Sequence, residues 1–419
     1  MRLEEFLETF DKRVEYIRQF NIPESVEIYF KCMRSYYQDI LDAKKEGKPL
    51  AWVSIMAPME IFRAMDIVPF AVDPYAITVA AFAYFKKEDC PFFDTGDSYG
   101  YPSDACSPHR LAVGLAATHT IPEPDLIFYT TPMPCDSAVA LFDVLSDMKK
   151  VPTYVANYEY RYHPNSVENL KREFIGLIEF LEETTGRSLD MDRLRETIEL
   201  SQAANNAMIE IHQLRKKIPC PLRTRDAFNS FGMRIAGDGL LDSVRFFETQ
   251  LREVKGRVER GGGAIPEERY RLVANGGYPF FAMDLLDWLQ EEFGAIVVAD
   301  FFNLTAWKEL EPSADPLEFM ARKSLYFFGL ETLYGPAENT IDKIIEDIRE
   351  ARVVGSFYFT HFGCKQGCGL QKIYRDKIIE KLDIPTLVVD MDISDPKIVS
   401  LDQMKNKIRE YMKMLEDKD

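Results

Sequence analysis

Cysteine is the residue type in this sequence whose placement suggests chemistry. The chain of 419 residues contains seven cysteines and only five histidines. The odd number of cysteines and the length of the chain argue against a disulfide framework. Three cysteines instead lie in expected loops, which is where functional residues collect. These three are Cys106, Cys135 and Cys364.

Three thiolates from distant parts of a chain favour a site for a soft metal. A [4Fe–4S] cluster normally binds four cysteines, so three would leave one iron open to an exchangeable ligand, as in catalytic zinc sites. A zinc site is an alternative, because a Cys2His2 set is also available from Cys106, His109, His361 and Cys364. Buried structural cysteines are the simplest alternative, since free cysteine is often buried.

The other four cysteines have no evident place in such a site. Cys32 lies inside an expected helix and is predicted to be a core residue. Cys220 lies in a loop between two prolines. Cys90, Cys220 and Cys368 are undecided between a further ligand and no role, and Cys368 alternatively begins the helix that follows Cys364.

The elements that would position the three cysteines alternate between strands and helices. Continuous apolar, β-rich runs predict strands that are buried on both faces of a parallel sheet. The predicted fold class is α/β, with two doubly wound parallel-sheet units (flavodoxin-like or Rossmann-like), a helical N-terminus and a helical middle segment. The predicted strands cover residues 50–56, 68–72, 125–131, 151–157, 270–275, 295–302, 353–360 and 385–390, and helical periodicity covers residues 137–150, 165–184 and 190–217.

The same pattern suggests four segments along the chain. They are N-terminal helices over 1–48, a first α/β domain over 49–163, a helical segment over 164–263 and a second α/β domain over 264–419. The glycine run 261–263 is the clearest boundary. In open α/β sheets, ligands bind beyond the carboxyl ends of the strands. Cys135 and Cys364 each follow a predicted strand by four residues, so both are expected at such an edge.

Charge and motifs disfavour several classes of function. The chain has 51 Lys and Arg against 68 Asp and Glu, a net charge of −17, which disfavours nucleic-acid binding. It contains neither a GxxxxGK phosphate loop nor a GxGxxG segment after a strand. The N-terminus has no signal-peptide pattern. The apolar stretch 68–85 contains two prolines and an aspartate, so we expect a strand and a buried helix in a cytoplasmic protein with no membrane span.

Four segments together carry a pattern that is shared with a known family. Residues 57–69 contain APMEI and AMDIVP, similar to a P-x-E-L…A-x-G-I-x-P pattern. The other three contain the cysteines: DACS at 104–107, PDLI leading to CDS at 124–137, and HFGC leading to IPTL at 361–387. By their order and spacing, over most of residues 50–395, the chain resembles an iron–sulfur subunit of the 2-hydroxyacyl-CoA dehydratase and benzoyl-CoA reductase family.

This resemblance implies a cofactor and a reaction. Cys106, Cys135 and Cys364 match the three cysteines that bind one [4Fe–4S] cluster, and Glu60 matches a glutamate near the reacting group. Glu60 is alternatively only a carboxylate at a helix N-terminus. The implied enzyme is oxygen-sensitive and uses a low-potential electron to form a ketyl radical from a CoA thioester. The expected reaction is dehydration of an (R)-2-hydroxyacyl-CoA to a 2-enoyl-CoA.

The resemblance also implies partners. These are a related second subunit in a heterodimer (or a second copy in a homodimer), a separate ATP-dependent iron–sulfur activator, and the acyl-CoA substrate. Four alternatives stay open: a benzoyl-CoA (aromatic ring) reductase subunit, an electron-transfer protein, a double-cubane cluster protein and a structural zinc protein. The double cubane is disfavoured because residues 324–339 contain no paired cysteines. The chain also departs from dehydratase substrate subunits at residues 72–75 (VDPY), where they tend to have a Pro-Glu-Asn-like stretch.

Overall fold

The structure, a computed structural model, describes residues 3–20, 22–302, 309–310, 313–327 and 335–417. Within these ranges all eight predicted strands are present, with ends that differ from the prediction by at most three residues. The strands are β1 (Leu50–Val53), β2 (Val68–Ala71), β3 (Leu126–Thr131), β4 (Thr153–Asn157), β5 (Tyr270–Gly276), β6 (Ala295–Asp300), β7 (Gly355–His361) and β8 (Thr386–Met391).

Helices flank these strands and fill the N-terminal and middle segments. Those of the first half are α1 (Leu3–Gln19), α2 (Glu24–Asp42), α3 (Met59–Ala64), α4 (Val72–Lys86), α5 (Phe92–Ser98), α6 (Ser107–Ala117), α7 (Asp136–Lys149), α8 (Ser166–Thr185) and α9 (Met191–Arg215). Those of the second half are α10 (Thr224–Gly237), α11 (Leu241–Glu259), α12 (Asp284–Phe293), α13 (Pro316–Phe327), α14 (Ala337–Arg349), α15 (Lys365–Leu382) and α16 (Leu401–Glu416).

The strands form two four-stranded sheets with the same topology. Their orders are β2-β1-β3-β4 and β6-β5-β7-β8, and every neighbouring pair is parallel. In each sheet the chain leaves the first strand for one edge and then returns to the other side of it. Such a reversal opens a crevice at the carboxyl ends of the two central strands. The predicted fold class is therefore confirmed.

Burial on both faces explains why the strands are continuously apolar. In β1, Leu50 and Trp52 pack in a cluster with residues of α1, α2 and α4. The alternate residues, Ala51 and Val53, belong to a second cluster on the opposite face. Because successive side chains of a strand point to opposite faces, a sheet covered on both sides needs apolar residues at every position.

The second cluster is shared by both sheets. It contains Val53 and Phe128 of the first sheet together with Leu272 and Phe357 of the second. The two α/β units therefore bury apolar surface in one continuous core. The segment limits predicted at 48, 163 and 263 stay a prediction.

Helices α8 to α11 form the middle segment. α9 packs against α3 and α11, and α11 also packs against α2. α8 ends where Gly186 adopts a left-handed conformation with φ of 68°, which glycine adopts without steric cost. Residues 68–86 form β2 and α4, as predicted. None of the helices in the described ranges has the length and apolar character needed to cross a membrane.

Candidate active site

Each of the three cysteines stands directly before a helix. Cys106 is the N-cap residue of α6, Cys135 of α7 and Cys364 of α15. Cys135 follows β3 by four residues, as predicted, whereas Cys364 follows β7 by three, because β7 extends to residue 361. A helix N-terminus carries partial positive charge and unpaired N–H groups. Each helix N-terminus therefore acts to favour the thiolate form of its cysteine, in opposition to burial.

The surroundings of the three thiols are alike. Burial raises the pKa of each thiol. In each case a hydrogen bond from the backbone N–H of the residue three positions later lowers the pKa and so opposes burial. For Cys364 that contact is a hydrogen bond of 3.3 Å from the N–H of Gly367 to Sγ. Burial and then the thiols of Cys135 and Cys364 raise the pKa of Cys106, so the three sulfurs lie within electrostatic range of one another.

The Cys106 segment contacts the Cys135 segment through two side chains. His109 Nδ1 lies 2.7 Å from Ser137 Oγ. The Tyr101 hydroxyl donates a hydrogen bond of 3.3 Å to the backbone carbonyl of Ser137. These contacts hold the N-termini of α6 and α7 side by side, although 28 residues separate His109 from Ser137.

The Cys106 segment also contacts the Cys364 segment and the loop after β8. A Cβ atom at Gly363 would lie only 2.7 Å from the carbonyl oxygen of the residue before Cys106. Ser107 donates a hydrogen bond of 2.5 Å from Oγ to Asp392 Oδ1. The first and second α/β units therefore meet at this point.

A third contact joins the Cys135 and Cys364 segments. The residues that follow the two cysteines, Asp136 and Lys365, form an ion pair with 3.1 Å between Oδ2 and Nζ. Both side chains are exposed, so the pair contributes little to stability. It does show that the N-termini of α7 and α15 are neighbours, and that each of the three cysteine segments contacts the other two.

The three cysteine segments can be compared with the needs of a single metal ion and of a cluster. Within the described ranges, no three His, Cys, Asp or Glu side chains are close enough to hold one metal ion. The alternative zinc set is therefore not assembled: His109 contacts Ser137, and His361 Nδ1 lies 3.4 Å from Asp392 Oδ2. The cysteines of a [4Fe–4S] cluster bind different irons, so their sulfurs lie farther apart than the ligands of one ion. Three thiols on three neighbouring segments are a donor set that suits such a cluster.

The remaining cysteines lie in other surroundings. Cys32 is buried in a helical cluster with Phe246 and Phe247, as predicted. Cys220 is buried and donates to a backbone carbonyl two residues further on. Cys368 belongs to α15, and Cys90 is half-buried. All seven cysteines are free thiols. Of residues 324–339, the segment that bears on the double-cubane alternative, positions 328–334 lie outside the described residues.

Glu60 lies at the same edge of the first sheet as Cys135. It is in the first turn of α3, the helix that follows β1, and β1 pairs in parallel with β3. Its side chain is 1% exposed. Glu60 Oε1 accepts a hydrogen bond of 2.6 Å from Ser201 Oγ and an ion-paired hydrogen bond from Lys323 Nζ. Lys323 Nζ also donates to Asp238 Oδ2 at 2.7 Å.

This network keeps Glu60 ionised. Burial alone would raise the pKa of the carboxyl group, but the Lys323 ammonium and the Ser201 hydroxyl outweigh it and lower the pKa below its ordinary value. A buried carboxylate is stable only when it is paired and hydrogen-bonded. At neutral pH Glu60 is therefore a proton acceptor and has no proton to give.

Glu60, Asp238 and Lys323 line a pocket. The pocket is small and partly open to solvent. Arg234 also lines it, and Arg234 Nε lies 3.4 Å from Asp238 Oδ1. The pocket combines an ionic wall from α3, α10 and α13 with apolar residues that follow β1. The pocket therefore lies beyond the carboxyl end of β1, and Tyr158, which follows β4, also lines it.

Sequence reasoning missed Lys323 and Asp238, which lie far from Glu60 along the chain. One signal was present in α13. Phe319 and Met320 are buried. Lys323 lies four and three positions after them, respectively, and therefore on the same face of the helix. A lysine on the apolar face of a helix indicates a buried partner, but the pattern does not say which carboxylate that partner is.

Comparison with known proteins is consistent with this geometry. Residues 54–415 match the family model described as 2-hydroxyglutaryl-CoA dehydratase, D-component. The chain is 21% identical over 397 residues to the (R)-2-hydroxyisocaproyl-CoA dehydratase alpha subunit of Clostridioides difficile, covering 91% of this chain and 94% of the relative. It is 22% identical over 410 residues to the alpha subunit of lactoyl-CoA dehydratase of Anaerotignum propionicum, with 90% and 93% coverage.

A relative with a different reaction is equally similar. The chain is 23% identical over 414 residues to a benzoyl-CoA reductase subunit of Thauera aromatica, covering 91% of this chain and 92% of the relative. The match to the family model covers far more than half of the chain and includes Glu60 and all three candidate cysteines. The chain belongs to the 2-hydroxyglutaryl-CoA dehydratase D-component family.

Proposed function

We propose that this chain is the iron–sulfur subunit of an enzyme that dehydrates an (R)-2-hydroxyacyl-CoA to a 2-enoyl-CoA. The observation that carries the proposal is the meeting of three cysteine segments, each with its thiol at a helix N-terminus. The dehydratase alpha subunits among the relatives support it.

Cys106, Cys135 and Cys364 are the residues proposed to hold a [4Fe–4S] cluster. When bound, the cluster supplies a low-potential electron and an iron that acts as a Lewis acid toward the thioester carbonyl oxygen. The chain contributes three thiolates that the helix N-termini favour. Three protein ligands leave one coordination site of the cluster for an exchangeable ligand.

Glu60 is the residue proposed to handle the proton. Dehydration removes the hydroxyl group from C2 and a proton from C3, so the site needs a base. Glu60 is buried, ionised and on the pocket wall, which suits it to accept a proton. Ser201 and Lys323 fix the orientation of its carboxylate from two other helices.

We also propose the partners. Each of these relatives is named as one subunit of its enzyme, so the chain is expected to work beside a second subunit, a related chain rather than a second copy. A separate ATP-hydrolysing iron–sulfur activator would deliver the electron, because this sequence has no phosphate loop. Seven free thiols suit a reducing cytoplasm.

Reduction of an aromatic ring is the second candidate function. The benzoyl-CoA reductase relative favours it, and a flat ring would also contact the apolar wall of the pocket. In that case the low-potential electron from the cluster would enter the aromatic ring of the substrate, and no hydroxyl group would be lost.

Metal analysis of anaerobically purified protein tests the cluster. We expect about four irons and four sulfides per chain. Serine in place of Cys106, Cys135 or Cys364 should remove most of the iron, whereas Cys32→Ser, in the helical core, should retain it. A colourless protein that contains zinc would contradict the proposal.

An activity assay distinguishes the two candidate reactions. With the activator and ATP, turnover of (R)-2-hydroxyacyl-CoA but not of benzoyl-CoA would favour the dehydratase.

A further inference from the structure

The charges in the pocket of Glu60 are already matched. Its lining contains two cations, Arg234 and Lys323, and two carboxylates, Glu60 and Asp238. Lys323 contacts both carboxylates, and Arg234 contacts Asp238. Each of the four side chains is at least partly buried, and the two carboxylates and Arg234 are less than 5% exposed. Within the described lining, each cation is thus engaged by a carboxylate of the protein itself.

The rest of the lining is mostly apolar. It includes Met56, Met59, Ile235 and Met320, all of which are buried. The polar tip of Tyr158 is also engaged, because its hydroxyl donates a hydrogen bond of 3.3 Å to a backbone carbonyl. Methionine side chains are flexible and polarizable, so they adapt to apolar groups of different shape.

We infer that this pocket receives the acyl group of the substrate and that this acyl group is apolar, an aliphatic chain or an aromatic ring with no terminal carboxylate. The inference rests on the proposed function and adds the class of acyl group. A terminal carboxylate would be the third carboxylate beside two cations, so the described lining would carry an excess negative charge. An uncompensated charge is strongly unfavourable in a desolvated site.

Two isosteric CoA thioesters test this directly. 5-Methylhexanoyl-CoA and glutaryl-CoA differ only in that a terminal isopropyl group replaces a carboxylate, and neither carries the 2-hydroxyl group needed for dehydration. Binding of each to the anaerobic enzyme, with its partner subunit, is measured by calorimetry. We expect 5-methylhexanoyl-CoA to bind at least 10-fold more tightly.

A variant probes the origin of the preference. Asp238→Asn removes one of the two carboxylates and leaves both cations in place, so the pocket gains a net positive charge. We expect glutaryl-CoA to gain affinity at least 5-fold in this variant, while the affinity for 5-methylhexanoyl-CoA changes less. Met320→Lys, which places a cation in the apolar wall, should shift the preference in the same direction and serves if Asp238→Asn fails to fold.

The outcomes separate this inference from the proposed function. Tighter binding of glutaryl-CoA by the wild type would overturn the apolar acyl group and leave the dehydratase reaction standing. No binding of either thioester would overturn both proposals. A preference for 5-methylhexanoyl-CoA in an enzyme that dehydrates no 2-hydroxyacyl-CoA would support the pocket assignment and overturn the reaction.

Discussion

At the scale of single residues, the site depends on placing charge where the backbone favours it. A thiol buried among apolar groups resists ionisation, and burial does raise the pKa of Cys106, Cys135 and Cys364. Helix N-termini oppose this effect at all three positions. The iron ions of a bound cluster would complete the stabilisation of the thiolates. This need accounts for the shared position of the three cysteines, each directly before a helix.

Glu60 shows the complementary arrangement for a carboxylate. It is buried, and Lys323 holds it ionised. In Lys323→Met the main influence that opposes burial is lost and the Ser201 hydrogen bond remains, so we expect the pKa of Glu60 to rise and more of the proposed base to be protonated at neutral pH. We expect kcat/KM to fall about 100-fold at pH 7, the size of a lost general base. It should recover as pH rises through the new pKa, in a profile of kcat/KM against pH.

The control for this prediction keeps the charge. Lys323→Arg retains a cation beside Glu60 and should remove most of the pH dependence seen in Lys323→Met, although the larger guanidinium group fits less well. Iron content should be unchanged in both variants. A loss of activity in Lys323→Met that is equal at every pH would show that Lys323 supports the fold of the pocket rather than the ionisation of Glu60.

At the scale of elements, the strands were the most predictable part of the fold. Eight continuous apolar runs became eight strands, because sheets covered on both faces leave a strong signal in sequence. The loop positions of Cys135 and Cys364 followed from the same pattern. The contacts of Ser107 with Asp392, and of Glu60 with Lys323, join residues more than 250 positions apart, and no local pattern specifies such pairs.

Helix α10 illustrates a different limit of local signals. It spans Thr224–Gly237, outside the stretches where helical periodicity was evident. Glycine inside a helix lowers its intrinsic stability, and α10 contains Gly232. A Cβ atom at Gly232 would lie 2.6 Å from the Tyr29 hydroxyl oxygen of α2. Close packing against α2 therefore favours a small residue at a position where glycine weakens the helix signal in the sequence.

The contact between the Cys106 and Cys364 loops gives a prediction for these elements. In Gly363→Ala, the new methyl group meets a backbone carbonyl oxygen at 2.7 Å, and a backbone atom cannot move aside as a flexible side chain does. The two loops must separate, so the three sulfurs no longer match one cluster. We expect the variant to fold but to retain less than about half of the wild-type iron, measured on anaerobically purified protein.

Gly369→Ala is the matched control for this substitution. Gly369 lies six residues further on, in α15, and nothing lies within 4 Å of a Cβ atom there. Alanine at that position should keep the iron and stabilise the helix by up to about 1 kcal/mol. Full iron content in Gly363→Ala would mean that the close approach of the two loops is not needed for the cysteine site.

At the scale of the whole molecule, the site lies where two similar units meet. Both sheets have the same strand order, and Cys135 and Cys364 follow the third strand of their respective units. The third cysteine, Cys106, comes from the first unit only, between α5 and α6. Neither unit carries all three cysteines, and the shared apolar core holds the units together. The cysteine site is therefore a property of the complete chain.

Buried ion pairs also connect the helical middle segment to the second unit. Arg215 of α9 contacts Asp300 at the end of β6, with 2.9 Å between Nη2 and Oδ2. His212 of the same helix and Lys216, its C-cap residue, contact Asp347 of α14 at 2.6 and 2.5 Å. Buried pairs of this kind are weak evidence for stability as such, but removing one partner leaves an uncompensated buried charge. They make the docking of α9 on the second unit sensitive to single substitutions.

Asp347 gives a pH-dependent prediction for this docking. Burial would raise its pKa, but His212 and Lys216 outweigh burial and hold the pKa well below its usual value. The stabilisation is therefore present above about pH 4, the usual aspartate pKa, and is lost as pH falls further. Asp347→Asn should lower the free energy of unfolding by about 3 kcal/mol at pH 7, and by less below pH 4, in urea titrations of samples matched for iron content.

Asp342→Asn, at an exposed position of the same helix, is the control. It should change the free energy of unfolding by less than about 0.5 kcal/mol, and an equal loss in both variants would contradict this role for Asp347.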